Sequence, residues 1–210
     1  WPLTGLPAAD GAAATKHSVY IAKIDNTYDS KPQYGIGQAD MVTQELVEGG
    51  ITRLAVFFYS KLPEKAGPIR SMRLTDIGVA KPLDAKLVTS GAAPVTLQGL
   101  DKAGVKFIDM NNDNVKRDLD GTHDTLHSVE ANLQGLAKSS QQKAAIRPQD
   151  FFEWGSDADW HGQGKATTVN TRISNQSGSD DVWKYTSGKY VLQNSYMDRP
   201  APSTRTPSSR

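Results

Sequence analysis

Apolar positions in this chain fall into short runs, separated by Gly, Pro and charged residues. Val19-Tyr20-Ile21-Ala22-Lys23-Ile24 is β-branched and aromatic and predicts a strand that gives way to a loop at the polar pair Asp25-Asn26. Tyr28 to Gly37 holds Pro32, Gly35 and Gly37 and predicts a loop. Gln38 to Glu48 supports two assignments. Ala39, Val42, Leu46 and Val47 fit one helical face, while Met41-Val42-Thr43 and Leu46-Val47 fit a buried strand. Beyond Gly49-Gly50, the nearly continuous apolar run Leu54-Ala55-Val56-Phe57-Phe58-Tyr59 predicts a strand buried on both faces.

After a loop over Lys61–Pro68, Ser71 to Lys81 predicts a helix stopped by Pro82. Ala85 to Ser90 and Val105 to Asp109 predict strands, and Pro94 to Leu100 a helix with proline in its first turn. Asn111 to Asp120 is polar and predicts a loop. Ser128 to Ser140 predicts a helix capped by Ser128, with Val129, Leu133 and Leu136 on its face. Later the pattern turns to period two. Thr167-Thr168-Val169 and Val182-Trp183-Lys184-Tyr185 predict strands, and Lys189-Tyr190-Val191-Leu192 returns as a hairpin after Thr186-Ser187-Gly188. Strands alternating with helices in the first half predict a mixed α/β (α+β) fold, a layered sheet with flanking helices plus a small C-terminal β-rich part. The expected organisation is an α/β domain over residues 1–150, opened by a Pro-, Gly- and Ala-rich surface arm over 1–17. A β-rich part follows over 151–198 and a flexible tail over 199–210.

Composition narrows the function classes. The length suits one good core with a small appendage. Lys and Arg total 24 against 23 for Asp and Glu, and no basic-aromatic stripe appears, so nothing calls for nucleic acid. No apolar run approaches the roughly 20 residues that span a bilayer. The chain has no cysteine, which excludes disulfides, thiolate metal sites and a cysteine nucleophile. Any lipid-modified cysteine would lie upstream of Trp1. The start at Trp1-Pro2 reads as that of a trimmed mature region and itself says nothing about export.

The densest chemistry lies between Glu45 and Arg73. Glu45 and Glu48 precede Gly49-Gly50, and Arg53, Arg70 and Arg73 are their natural partners. Paired carboxylates serve acid–base chemistry or anchor arginines, and a buried Glu–Arg network with a purely structural role fits the same residues. Gly67-Pro68-Ile69-Arg70-Ser71 reads as a rigid turn feeding a helix, whose N-terminus and arginines suit a carboxylate or phosphate. Asp25-Asn26 serves either as general base or ligand clamp, or as a loop-capping Asx pair. His123 and His127 stand at i and i+4. On a helix they would share a face and could hold a metal, but no third ligand is evident, and one structural plus one surface histidine is the simpler account. There is no Walker loop, and neither Ser71 nor Ser90 lies in a Gly-x-Ser-x-Gly elbow. Trp154, Trp160 and Trp183 suit sugar stacking, or packing.

Several stretches together resemble the YerB-like bacterial lipoproteins, a family built around a domain of unknown function. They are Pro2-Leu3-Thr4-Gly5-Leu6, Ile24-Asp25-Asn26, Lys31-Pro32-Gln33-Tyr34-Gly35, Gln38-Ala39-Asp40, Glu45 through Arg53 (ELVEGGITR) and Glu64 through Ser71 (EKAGPIRS). They span roughly residues 2–130 in the family's order. His123-Asp124 resembles a later His-Asn element, with Thr122 where the family has proline. The family also carries a longer C-terminal β-rich part. The resemblance implies an exported envelope protein, tethered to the membrane by an upstream lipid anchor. It implies no activity.

These readings lead to an expected extracytoplasmic binding or accessory protein of the bacterial envelope. Asp25, Asn26, Glu45, Glu48, Arg53, Arg70, Ser71, Arg73 and His123 would line a polar cleft for an anionic wall-derived ligand, such as a peptidoglycan fragment, or for an envelope protein. No cofactor, metal or nucleic acid is expected. The alternatives are a cell-wall hydrolase using Glu48 or Asp25 as base with His123, and a scaffold without a small-molecule site.

Overall fold

A computed structural model describes residues 1–9, 11–159, 161–162, 164–176 and 179–193, and among these it has ten short strands, three α-helices and six 3-10 turns. The main sheet is built from β1 (Tyr20–Asp25), β2 (Met41–Leu46), β3 (Thr52–Phe58), β4 (Lys86–Val88) and β5 (Lys106–Ile108), in the order β2-β3-β1-β4-β5. β1 and β2 run antiparallel to β3, and β4 and β5 run parallel to β1. The ambiguous segment before Gly49 is thus a strand, because its residues pair with β3 from Met41↔Phe57 to Leu46↔Thr52. β1 and β3 are buried at every position, as the unbroken apolar run of β3 predicts.

Alternation along the strands sorts side chains onto two faces. Tyr20, Ala22, Ile24, Val56 and Phe58 pack on one side against Ile69, Val115, Val129, Leu133 and Leu136. The ribbon β6 (Val115–Arg117) and β7 (Val129–Ala131) and helix α3 (Leu133–Ser139) supply that cover. Ile21, Ala55, Phe57 and Leu87 pack on the other side against Leu3, Met72, Ala80, Leu83 and Leu100. There the cover comes from α1 (Asp76–Ala80), α2 (Pro94–Ala103) and the chain's start. Each such fully buried large side chain contributes about 1.5–3 kcal/mol. By the same alternation Lys23 and Asp25 belong to this second face, and the site grows there.

Four expectations need correction. The polar stretch 111–120 contains β6, whose Val115 is fully buried. The helix expected over 128–140 is β7 followed by α3. Asn132, not Ser128, caps that helix through its side-chain oxygen, which accepts from Gly135 N at 2.7 Å. The helix expected from Ser71 starts at Asp76, because Ile69 to Met72 are extended and pinned on both sides. Ile69 N donates to Val129 O (2.6 Å), Arg70 N to Lys23 O (2.7 Å) and Met72 N to Gly91 O (3.0 Å). Gly67 fits here because a Cβ would stand 2.9 Å from Val129 O. The N-terminal arm is anchored, not superficial: Leu3 is buried, and Thr15 N donates to the Tyr59 hydroxyl (3.0 Å).

Phe151 lies edge-on to Phe57, and Trp154 Nε1 donates to Pro2 O. A second sheet follows, formed by β8 (Thr168–Ser174), β9 (Ser179–Thr186) and β10 (Lys189–Leu192) in the order β10-β9-β8. Its hairpin turns at Ser187 and Gly188, both at positive φ, as a two-residue turn between right-twisted strands requires. Trp160 and the expected tail at 199–210 lie outside the described residues.

Candidate functional site

β1, β2 and β3 place one charged row across the second face, because directly paired residues of antiparallel strands share a face. Arg53 stands between Asp25 on β1 and Glu45 on β2. Lys23 lies two residues back from Asp25. The pinned segment after Pro68 and the start of α1 bring Arg70, Ser71, Arg73 and Asp76 over this row.

Three bonded groups result. Innermost, the fully buried Lys23 Nζ meets Glu45 Oε2 and Asp76 Oδ1, each at 2.6 Å. Two carboxyls on one ammonium leave a local excess of negative charge. Burial pushes the Glu45 carboxyl above its ordinary range, against the pull of Lys23, and neighbouring Asp76 adds to the rise. Asp76 also accepts from Arg73 N at 2.6 Å, which seats the first turn of α1.

Beside this lies Asp25, which is 2% exposed. Its Oδ2 is 3.0 Å from Arg70 Nε and 3.6 Å from His127 Nε2, and its Oδ1 accepts from Thr27 N at 2.9 Å. His127 Nδ1 in turn lies 2.8 Å from Asp124 Oδ1, and Arg70 Nη1 donates to Leu126 O at 2.9 Å. Asp25 thus both caps the loop after β1 and holds Arg70. Outermost, Arg73 forks onto Glu48 through Nε (2.8 Å) and Nη2 (2.7 Å). The Arg73 bonds lower the Glu48 pKa to about 2.

Arg53 is the exception. It is 6% exposed, and its Nη1 donates to Ser71 O at 2.9 Å. Among the described residues no carboxylate comes within ion-pair distance of it. Burial lowers its affinity for its proton and the neighbouring positive charges of Arg73 and Arg70 lower it further, while Asp25 and Glu48 pull it part of the way back. A guanidinium carries five donors. This one is desolvated, and Asp25 and Glu48 act on it only from beyond ion-pair distance.

The remaining expected residues take supporting positions. Asn26 Nδ2 donates to Thr52 Oγ1 at 2.8 Å, tying the end of β1 to the start of β3. Ser71 contributes its carbonyl to Arg53. His123 is half-buried, with Nε2 3.2 Å from Ser30 O and its ring edge-on to Tyr34. The two histidines do not share a helical face: Thr125–His127 is a single 3-10 turn. Among the described residues no group of three or more His, Asp or Glu side chains is arranged to hold a metal.

Comparison with known proteins places the chain in a family. Residues 3–147 match the family described as "Protein of unknown function (DUF3048) N-terminal domain". The chain belongs to this family. It is 31% identical over 107 residues to the "Putative lipoprotein YerB" of Bacillus subtilis (strain 168), a match covering 51% of this chain and 32% of that protein. The crystal structure of the YerB protein from Bacillus subtilis superposes with a TM-score of 0.67 at 20% identity, covering 89% of this chain and 62% of that one. That likeness shows the mixed α+β fold. The matches span 32% of the curated relative and 62% of the solved chain, under two thirds of each. Among the described residues no helix is long and apolar enough to cross a membrane.

Every charged group of the corner lies inside the family's matched segment. Sequence reasoning missed Lys23, Asp76 and the role of His127. Lys23 carried a readable signal, a lone cation at mid-strand in a run otherwise buried on both faces. Asp76 carried none, because its role depends on where the extended segment after Pro68 sets α1 down. His127 was considered only as a partner of His123, although its contacts are with Asp124 and Asp25.

Proposed function

We propose that this chain is the ligand- or partner-binding part of an extracytoplasmic, lipid-anchored accessory protein of the bacterial envelope, and that Arg53 is the centre of its recognition site. The single observation that carries the reading is the buried Arg53 guanidinium, which has no carboxylate within ion-pair distance among the described residues. Buried cations without a direct ion-pair partner are expensive, and a ligand or partner can supply the anion at contact distance. Arg70 and Arg73 shape the site but are occupied, by Asp25 and Glu48. The compartment rests on the family and on a relative named as a lipoprotein. A wall-derived carboxylate or phosphate fits the guanidinium's forked donors. As general bases, Asp25 and Glu48 would first have to give up their arginines, which weighs against the hydrolase reading.

The test is co-sedimentation with intact peptidoglycan sacculi, wild type beside Arg53→Met. The substitution keeps the stem's packing and removes the charge, so thermal stability should change by less than about 1 kcal/mol. Binding should fall at least tenfold. A folded variant that binds as well as wild type would remove Arg53 from recognition.

A further inference from the structure

The outer edge of β2 is unlike the other sheet edges among the described residues. β5 is three residues long and begins with Lys106. β6 is equally short and carries Lys116 and Arg117. β8 carries Arg172 and has an irregular register between Arg172 and Ser174. β10 is four residues long and begins with Lys189. Short length, basic side chains and bulges are the usual guards against edge pairing. β2 has six residues, no Lys, Arg or Pro, and an unbroken register with β3.

Its hydrogen-bond phase is fixed. Val47 N donates to Ile51 O at 2.9 Å, one step beyond Leu46↔Thr52. In an antiparallel ladder alternate residues turn their backbone groups to the same neighbour. Met41, Thr43 and Glu45 therefore bond β3, and Val42, Gln44 and Leu46 turn their N–H and C=O groups outward. Val42 is 41% exposed and Leu46 53% exposed.

We propose that this edge pairs antiparallel with the same edge of a second copy of the chain, about a two-fold axis through Gln44. A two-fold seam sets the same outward residues against each other in reversed order, so it is favoured where they match when reversed. With the axis at Gln44, Gln44 meets Gln44, and Val42 meets Leu46 of the other copy, so all three outward residues find ladder partners. An axis at Thr43 or Glu45 would ladder only two of the three outward residues, 42 with 44 or 44 with 46, and leave the third without a partner. An axis at Val42 or Leu46 would run the pairing off the strand. The outward sequence Val-Gln-Leu is apolar, polar, apolar in both directions, so each exposed Val42 covers an exposed Leu46. This self-match selects a second copy over an unrelated extended peptide. The acids nearest the two ends of the pairing are already bonded within their own chain: Asp40 accepts from Tyr59 N and Ser60 N, and Glu48 from Arg73. Val42, Gln44 and Leu46 stand on the sheet face opposite Arg53, and the proposal does not depend on that site. A seam this short falls below the roughly 1,200 Å² of a standard interface, so the dimer is concentration-dependent.

The absence of cysteine gives a clean probe. Paired Cα atoms at the axis stand about 5.5 Å apart, within disulfide reach, whereas the two copies of Val42 would be about 13 Å apart. Under mild oxidation Gln44→Cys should cross-link into a dimer, and Val42→Cys should not. Sedimentation equilibrium over about a hundredfold range of concentration should show a monomer–dimer equilibrium for the wild type. Leu46→Lys and Gln44→Pro should each weaken it at least tenfold. Both should keep the wild-type circular dichroism and melting temperature, because the Gln44 N–H points away from β3. A wild type monomeric at every concentration would overturn the proposal. So would a dimer unaffected by both edge substitutions, or equal cross-linking at positions 42 and 44.

Discussion

The inner and outer ion pairs of the charged corner are made of the same chemistry in different surroundings. Lys23 bridges Glu45 and Asp76 with side chains 0%, 12% and 0% exposed, whereas Arg73 clamps a Glu48 that is 71% exposed. The inner group lies in the dry interior, where breaking a pair strands a charge that water cannot reach. The outer pair is screened, and water replaces most of what either partner would lose. The inner cluster therefore sets the geometry of β1, β2 and α1, while the outer pair closes the rim beside Arg53. Geometry alone would rank the 2.6 and 2.7 Å contacts together, and it is exposure that separates them.

The largest expected effect tests the inner cluster. Lys23→Met should cost about 3–5 kcal/mol in urea denaturation, because two carboxyls lose their shared cation. Glu45→Gln should change stability by less than about 1 kcal/mol at neutral pH, because Lys23 keeps Asp76 and one excess negative charge is gone. The sign with pH follows from the raised Glu45 pKa. A carboxyl that holds its proton more tightly when folded favours the fold below its unfolded pKa and loses that contribution as pH rises through the folded value. Glu45→Gln should therefore flatten a fall in wild-type stability that begins above about pH 4.5. If Lys23→Met and Glu45→Gln cost the same, the inner cluster is no more sensitive to charge balance than the rim.

Arg70→Ala comes next, and it tests whether the middle group behaves like the inner or the outer one. Asp25 is nearly inaccessible, but it keeps the Thr27 N–H and stands near His127 when Arg70 is removed. The expected loss is about 2–3 kcal/mol, between the two extremes. A loss below about 0.5 kcal/mol would move Arg70 to the rim and free it for ligand binding.

Much of this arrangement was legible in the residues before the structure. The apolar run of β3 signalled burial on both faces, and the density of charge between Glu45 and Arg73 marked the corner itself. What stayed hidden depended on contacts distant in the chain. β6 and β7 are three residues each, too short for a period to show against the polar stretch around them. The segment Ile69–Met72 reads as a helix start because Pro and Ser precede an amphipathic run. It is extended instead, because Lys23, Thr89, Gly91 and Val129 accept its backbone hydrogen bonds. The absence of an ion-pair partner at Arg53 was illegible for the same reason, since only the tertiary contacts show which acids Arg70 and Arg73 have already taken.

The smallest expected effect belongs to the outer pair, and it sharpens the contrast because the sign of its pH dependence is opposite. Burial raises the Glu45 pKa, whereas hydrogen bonds from Arg73 hold the Glu48 pKa at about 2, below the ordinary 4.5. A depressed carboxyl stabilises the fold above its unfolded pKa, and the contribution is lost as pH falls through the folded value. Glu48→Gln should leave stability near neutral pH within about 0.5 kcal/mol of wild type, because the pair is open to solvent and screened by salt. The difference should shrink further between about pH 4.5 and pH 2 and vanish below, since protonation removes the same charge that the substitution removes. Denaturation midpoints of the two proteins, followed down through that window at low and at high salt, would measure it. A gap that survives at pH 2, or that salt leaves untouched, would show that Glu48 acts through packing or a neutral hydrogen bond, and the rim would then resemble the interior it borders.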